Sequence, residues 1–334
     1  MRFGKEIEKK VAEAAKVIRG GGVVAFPTET VYGLGANVYD EEAIKKIFQL
    51  KGRPQDNPLI VHISKKRDIY IVAREVPHKA KILIREFWPG PLTLVLPKNP
   101  SIPDVVTAGL DTVAVRMPDH PIALKLIRLS GVPIAAPSAN ISGKPSATQP
   151  EHIKKYFGEK VFIVEGRVKI GIESTVLDLT ENTPKILRPG AITKEMIERK
   201  IGKVEVFEYI KDDVPKSPGL KYRHYAPDSD LILILNREKM IEFVMKNKKL
   251  WKLKGMKVAV FFFQKKPASF EHNIPDVHVF VSGRNLREFA KNLFKILIEK
   301  GEKYDVLIFE GVEEKGIGLG IMNRLKKAAK MVIE

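Results

Sequence analysis

Short apolar runs, each bordered by a polar segment of hydroxyls, glycines and cations, commit this chain to a fold built on a sheet. Residues 23–26 lead into Pro27-Thr28-Glu29-Thr30-Val31-Tyr32-Gly33-Leu34-Gly35, and residues 132–136 lead into Pro137-Ser138-Ala139-Asn140. Lys51-Gly52-Arg53 stands ahead of a third run, residues 59–63. Runs this short read as buried strands, since helices need about ten residues or more. Helical patterns lie between them. Ile7, Val11, Ala14, Ala15 and Ile18 recur at helical spacing until Gly20-Gly21-Gly22 stops them. Asp40 caps a second helix with the apolar face Ala43, Ile44, Ile47 and Leu50, which ends at Lys51-Gly52-Arg53-Pro54.

Further strands are predicted at 92–96, 112–116, 133–136, 161–164, 175–179 and 185–187, and helices near 78–87, 121–129, 150–157 and 193–200. Several of the later strands follow one another without a helix, so the sheet is mixed rather than strictly parallel. At Lys211 the texture changes to Asp212-Asp213-Val214-Pro215-Lys216-Ser217-Pro218-Gly219, a linker composition. Leu220-Lys221-Tyr222-Arg223-His224-Tyr225-Ala226-Pro227 follows, with too many aromatic and cationic groups for a passive tether. Strands at 231–235, 258–263, 277–281 and 306–309 then alternate with helices, the last placed after Gly320. The expected class is α/β: a mixed, twisted open sheet with helices over 1–210, a linker or lid over 211–230, and a smaller Rossmann-like α/β domain over 231–334.

A length of 334 residues makes two domains the natural division. The formal charge of +18 favours an anionic partner, but it is spread over both halves, and a solvated Lys/Glu-rich surface accounts for most of it. The absence of cysteine excludes a disulfide framework, a thiolate zinc site and a thiol nucleophile. No apolar run reaches the ~20 residues of a membrane span. Met1-Arg2-Phe3-Gly4-Lys5-Glu6 opens a charged helix rather than a signal peptide, so a soluble, cytoplasmic protein is expected.

A nucleotide triphosphate requires fixed positive charge and N–H donors around its clustered oxygens. Lys51 and Arg53 bracket a glycine at a helix end, where they meet an anion or simply offset the helix dipole. Ser138 and Asn140 follow a strand on alternate positions, suited either to phosphate or to closing a turn. Thr28, Glu29 and Thr30 sit in a segment whose Gly33 and Gly35 permit close backbone approach; an ordinary hairpin is the other reading. Arg116 ends an apolar strand, placed to clamp a carboxylate or to pair with Asp119. His62 points opposite to Val61 and Ile63, as a ligand contact or a satisfied core residue. The P-loop, H-E-x-x-H and G-x-S-x-G motifs are absent, and Gly316-Ile317-Gly318-Leu319-Gly320 is an incomplete dinucleotide fingerprint.

Taken together and in order, Pro27 to Gly35, Lys51-Gly52-Arg53-Pro54, Ser138-Ala139-Asn140 with Ser146, Glu173-Ser174-Thr175-Val176 and Leu187-Arg188-Pro189-Gly190 resemble the YrdC-like family, whose signature is the Lys-x-Arg and Ser-x-Asn pairs. Ser217 to Pro227 and Gly318-Leu319-Gly320-Ile321-Met322-Asn323-Arg324-Leu325 resemble its longer, two-domain form. The resemblance implies a YrdC-like catalytic domain and threonylcarbamoyl-AMP synthase activity. Such enzymes join L-threonine, bicarbonate and ATP into an adenylate, releasing pyrophosphate, for a transferase complex that modifies tRNA.

By that resemblance ATP falls to Lys51, Arg53, Asn57, Thr112, Ser138, Asn140, Ser146 and Arg188, with Tyr225 closing over it. Lys51 and Arg53 carry the catalytic charge. Threonine falls to Thr28, His62, Arg116, Ser174 and the backbone of Ala136, with Arg116 on its carboxylate. Mg²⁺ is expected with ATP, bridging phosphates and taking few protein ligands. Residues 217–227 would form a lid against hydrolysis, anchored by the second domain. Contact with the transferase complex would be transient. The competing class is an RNA-binding platform, which the charge suits. The polar segments lack the interleaved aromatics of such proteins, so any RNA contact is secondary.

Overall fold

The computed structural model describes residues 4–207, 224–270 and 276–334. The chain divides into two compact units, Met1–Ser142 with Ser146–Tyr222 and Gly143–Pro145 with Arg223–Glu334. Of the expected linker, residues 211–223 lie outside the described residues.

The first unit begins with α1 (Lys5–Arg19), the hairpin strands β1 (Val24–Pro27) and β2 (Tyr32–Asn37), α2 (Glu41–Lys51) and β3 (Ile60–His62). It continues through α3 (Ile69–Val72), α4 (His78–Phe87), β4 (Leu92–Pro97), α5 (Asp104–Thr107), β5 (Thr112–Arg116) and α6 (Pro121–Ser130). Then come β6 (Ile134–Ala136), α7 (Pro150–Phe157), β7 (Phe162–Ile163), β8 (Thr175–Asp178), β9 (Lys185–Arg188), α8 (Lys194–Ile201) and β10 (Glu205–Val206). The strands form a ten-stranded mixed sheet in the order β10-β9-β8-β4-β5-β3-β6-β2-β1-β7. Local chemistry sets the ends. The Asp40 side chain accepts from the Ala43 N–H to start α2, and Gly52, at φ 58°, stops it in the left-handed region that glycine tolerates.

Strand parity sorts the side chains onto two faces. Val61, Leu94, Val115, Ala135 and Leu177 point into the larger core with α2, α4, α7 and α8. Their neighbours Ile60, Val95, Ala114 and Val176 cluster on the opposite face. At one end of that face Val24, Phe26, Ile134 and Ala136 are covered by α1 and α6. His62 and Arg116 share this second parity, and the parallel pairing of β3 with β5 sets them side by side. The expectation that His62 turns away from Val61 and Ile63 is met, because both of those lie in the larger core.

The segment after β1 is a hairpin: Tyr32–Asn37 pairs antiparallel with β1. Glycine is ordinarily disfavoured inside a strand. At Gly35, however, a Cβ would lie 2.6 Å from Ile134 Cγ2 and 2.7 Å from Phe26 Cε1, so only glycine allows this packing.

The second unit contains β11 (Asp230–Ile234), α9 (Arg237–Leu253), β12 (Val258–Phe263), β13 (Val277–Gly283), α10 (Leu286–Gly301), β14 (Val306–Glu310), α11 (Ile317–Ala328) and β15 (Met331–Ile333). All strand pairs are parallel, in the order β13-β12-β14-β11-β15. The last helix begins at Ile317, ahead of the expected start after Gly320. Gly318 fits its first turn because a Cβ there would meet the Glu313 carbonyl oxygen at 2.1 Å. Among the described residues no helix is long and apolar enough to cross a membrane.

Gly190 closes the loop after Arg188 against backbone: its Cβ would lie 2.6 Å from Thr175 N and 2.7 Å from Glu173 O. Gly190→Ala must displace the segment carrying Glu173 and Ser174. It is expected to destabilise the first unit by about 1–3 kcal/mol, read as an earlier urea-unfolding midpoint. An unchanged midpoint would show that the loop has room.

Candidate active site

On the sheet face that carries His62 and Arg116 lies a cleft open to solvent. Its walls are Thr28, Thr30, Val31, Tyr32, Gly33, Arg53, Ile60, His62, Arg116, Ala136, Pro137, Ser138, Glu173, Ser174 and Arg188. They come from strand ends and the loops beyond them, where a sheet holds ligand groups rigidly.

The β1–β2 turn supplies one wall. Thr28 Oγ1 accepts from the N–H groups of Thr30 at 3.2 Å and Val31 at 3.3 Å, and lies 2.8 Å from Thr30 Oγ1. Arg116 reaches this turn from β5. Its Nη1 donates to Thr30 Oγ1 at 3.0 Å and its Nε to the Gly90 carbonyl at 3.3 Å. Its Nη2 stands 2.7 Å from a carboxylate oxygen of Glu29. The ion-pair partner of Arg116 is therefore Glu29, not Asp119.

Beside it, His62 Nδ1 lies 3.1 Å from the Ile60 carbonyl, and the ring meets Phe26 edge-on at 6.1 Å. Burial, with Arg116 adding to it, pulls the imidazole from 6.5 down to about 3. The ring is neutral at physiological pH.

Two further guanidinium groups, Arg53 and Arg188, line the cleft. Arg188 donates from Nε to the Ser174 carbonyl and from Nη2 to Ser174 Oγ, both at 3.2 Å, while Ser174 Oγ lies 2.8 Å from Thr93 Oγ1. Arg53 Nη2 donates to the carbonyls of Asn57 and Pro58, both at 3.1 Å. Glu173 accepts from Ser146 Oγ at 2.5 Å. Burial pushes the Tyr32 phenol pKa up, and its oxygen bonds to the backbone of Gly166.

Lys51 behaves otherwise than its position in the sequence implied. It is buried and does not line the cleft. Its ammonium donates to the carbonyls of Ser138 at 2.6 Å and Asn140 at 2.5 Å. Burial, reinforced by the nearby Arg53 charge, lowers its pKa well below the ordinary lysine value, with Glu173 opposing. Lys51 thus holds the Ser138–Asn140 loop from beneath rather than reaching for a ligand through open space.

Of the residues expected from sequence, the cleft brings together Thr28, Arg53, His62, Arg116, Ala136, Ser138, Ser174 and Arg188. Directly behind it lie Lys51, Asn140, which accepts from Ser138 Oγ at 2.6 Å, and Ser146. Asn57 is buried beside Arg53 through its backbone carbonyl. Thr112 sits at the opposite end of β5 from Arg116 and does not line the cleft. Tyr225 is buried in the second unit, its ring 5.1 Å from Phe294 and 6.0 Å from the Arg324 guanidinium. Sequence reasoning assigned no role to Thr30, Tyr32 or Glu173, although each lies within a quoted motif. The available signals were Thr30 standing two residues from Thr28 and Glu173 standing next to Ser174.

A family model described as "Telomere recombination", for the Sua5, YciO and YrdC group, matches residues 16–190. A second, described as "Threonylcarbamoyl-AMP synthase, C-terminal domain", matches residues 192–330. The chain belongs to the two-domain threonylcarbamoyl-AMP synthase family. The threonylcarbamoyl-AMP synthase of Pyrococcus abyssi is 50% identical over 333 residues, covering 96% of this chain and 94% of that protein. That of Bacillus subtilis is 45% identical over 330 residues, covering 96% and 93%. The crystal structure of P. abyssi Sua5 complexed with L-threonine aligns with a TM-score of 0.90 at 48% identity, covering 100% of this chain and 98% of that one. The YrdC-like and Rossmann-like architecture expected of this synthase family is the one observed.

His62 makes this synthase-family site acid-sensitive. Its folded pKa, about 3, lies below the ordinary 6.5. Its contribution to stability is complete above pH 6.5 and is lost as pH falls toward 3. His62→Gln should therefore remove about 2 kcal/mol of the stability loss between pH 6.5 and 4.5, measured by urea unfolding at each pH. Identical slopes for the two proteins would contradict a neutral buried ring.

Proposed function

We propose that this chain makes L-threonylcarbamoyl-adenylate from L-threonine, bicarbonate and ATP, releasing pyrophosphate, and so supplies the activated group for threonylcarbamoyladenosine in tRNA. Beyond the family itself, the observation that carries this reading is a single cleft. It brings a buried guanidinium, a neutral imidazole and small hydroxyls together with Arg53, Arg188 and Ser138.

The part of the cleft around Arg116 and His62 suits an amino acid. Arg116 takes the carboxylate, and Thr28, His62, Ser174 and the Ala136 backbone surround the rest. A neutral His62 adds no charge against the substrate ammonium and offers a hydrogen-bonding edge to it. The threonine amine, having given up its extra proton, bonds to the bicarbonate carbon as a C–O bond breaks and water leaves, which gives a carbamate. A carbamate oxygen attacks the α-phosphorus of ATP, that bond forms as the bond to pyrophosphate breaks, and the negative charge moves onto the leaving group. Little covalent chemistry falls to the protein, so catalysis is positioning and charge stabilisation. Arg53 and Arg188 face the phosphates and Ser138 donates to them. Lys51, Asn140 and Ser146 fix that part of the cleft from behind, and the Lys51 charge acts through the loop it holds. Asn57, Thr112 and Tyr225 are assigned to the nucleotide on family resemblance alone.

Mg²⁺ enters with ATP as part of the substrate. Among the described residues no group of three or more His, Asp or Glu could hold a metal, and the Glu29 and Glu173 carboxylates already contact Arg116 and Ser146. The ion would be held chiefly by phosphate and water oxygens. On this reading the water-sensitive product passes to a transferase complex acting on tRNA, in the cytoplasm.

The test is to incubate the full chain with ATP, Mg²⁺, threonine and bicarbonate and to measure pyrophosphate, with mass spectrometry for the adenylate. Pyrophosphate should require threonine and bicarbonate together. Arg116→Met should raise the threonine KM by about 10- to 100-fold while leaving the ATP KM nearly unchanged. Pyrophosphate release independent of threonine would overturn the reading.

A further inference from the structure

Behind the part of the cleft assigned to the amino acid sits a carboxylate to which neither sequence reasoning nor the proposed chemistry gives a role. Glu29 occupies the β1–β2 turn and is 2% exposed. Its backbone carbonyl accepts from the N–H groups of Lys169 at 3.0 Å and Ile170 at 2.8 Å, which fixes the turn from outside. Its side chain is 2.7 Å from Arg116 Nη2, yet neither carboxylate oxygen receives an in-line hydrogen bond, and Nη2 has no in-line acceptor. The two groups form a close charge pair set off the hydrogen-bonding axis. The other edges of the guanidinium are engaged, Nη1 by Thr30 and Nε by Gly90.

A buried guanidinium with only neutral acceptors is strongly disfavoured, whereas one beside a carboxylate stays charged and in place. The pairing compensates the Arg116 charge inside the protein, while the arginine side chain still forms part of the cleft lining. We propose that Glu29 is a positioning residue for the amino-acid substrate: it compensates the buried Arg116 charge and holds the guanidinium in place where Arg116 lines the cleft, ready for the substrate carboxylate. This deepens the reading of Arg116 given above and rests on it. Glu29 does not line the cleft and acts through Arg116.

The experiment measures threonine-dependent pyrophosphate release by the full-length protein, varying threonine at saturating ATP and then ATP at saturating threonine. Glu29→Gln keeps the shape and removes the charge. It should raise the threonine KM by about 10- to 100-fold, as expected when a clamp is misplaced, with the ATP KM held within about twofold. In an Arg116→Met background, Glu29→Gln should change the threonine KM no further, because the group through which it acts is gone. An unchanged or lowered threonine KM in the single variant overturns the proposal. So do equal rises in both KM values, which mark a general structural role, and additive effects in the double variant. Should Glu29→Gln not fold, Glu29→Asp is read in the same way: its shorter carboxylate should raise the threonine KM alone, and no rise overturns the proposal. A wild-type protein without threonine-dependent pyrophosphate release defeats the proposed function itself. An active wild type with a silent Glu29→Gln defeats only the role of Glu29.

Discussion

The burial of Lys51 is the constraint from which the cleft takes its shape. An ammonium inside a protein must find acceptors, and here they are the carbonyls of Ser138 and Asn140. That requirement draws the loop after β6 onto the end of α2. Hydrogen bonds from the Ala139 N–H to the Tyr32 carbonyl and from the Leu34 N–H to the Pro137 carbonyl, at 2.8 and 2.9 Å, then fasten the β1–β2 hairpin to the same loop. Three segments distant in sequence become one wall. Replacing Lys51 would remove a charge and also release the backbone that carries Ser138.

Parity accounts for the rest. In strands buried on both faces, alternate residues belong to different environments, and one register shift would exchange them. His62 and Arg116 escape the large helical core because Val61 and Val115 occupy it. The two polar groups are brought together by the β3–β5 pairing rather than by any loop. Function occupies the face where α1 and α6 cover only one end, and the burial that makes His62 neutral follows from that placement.

Much of this was readable in the sequence. The apolar runs located most strands, the Asp40 cap and Gly52 bounded α2, and the alternation at residues 61–63 gave the direction of His62. What stayed hidden depended on distant partners. Glu29 and Arg116 are 87 positions apart, and charge pattern along the chain pointed instead to nearby Asp119. Lys51 read as a cation facing outward, because nothing local reveals that two carbonyls from residues 138 and 140 lie over it. β2 was open in the sequence as one of two readings, and it contains Gly33 and Gly35, which propensity disfavours in strands and which close packing on Phe26 and Ile134 requires. The proposed lid falls largely on residues 217–223, outside those described, while Tyr225 packs on Phe294 within the second unit.

The central claim is that one cleft of the first unit accepts an amino acid on Arg116 and a nucleotide on Arg53 and Arg188. A crystal structure of the full chain with L-threonine and a non-hydrolysable Mg²⁺-ATP analogue addresses it most directly. The threonine carboxylate should lie on the Arg116 guanidinium, with the α-phosphate between that amino acid and the Arg53 and Arg188 guanidinium groups. Either ligand bound outside this cleft, or threonine turned with its carboxylate away from Arg116, would contradict it.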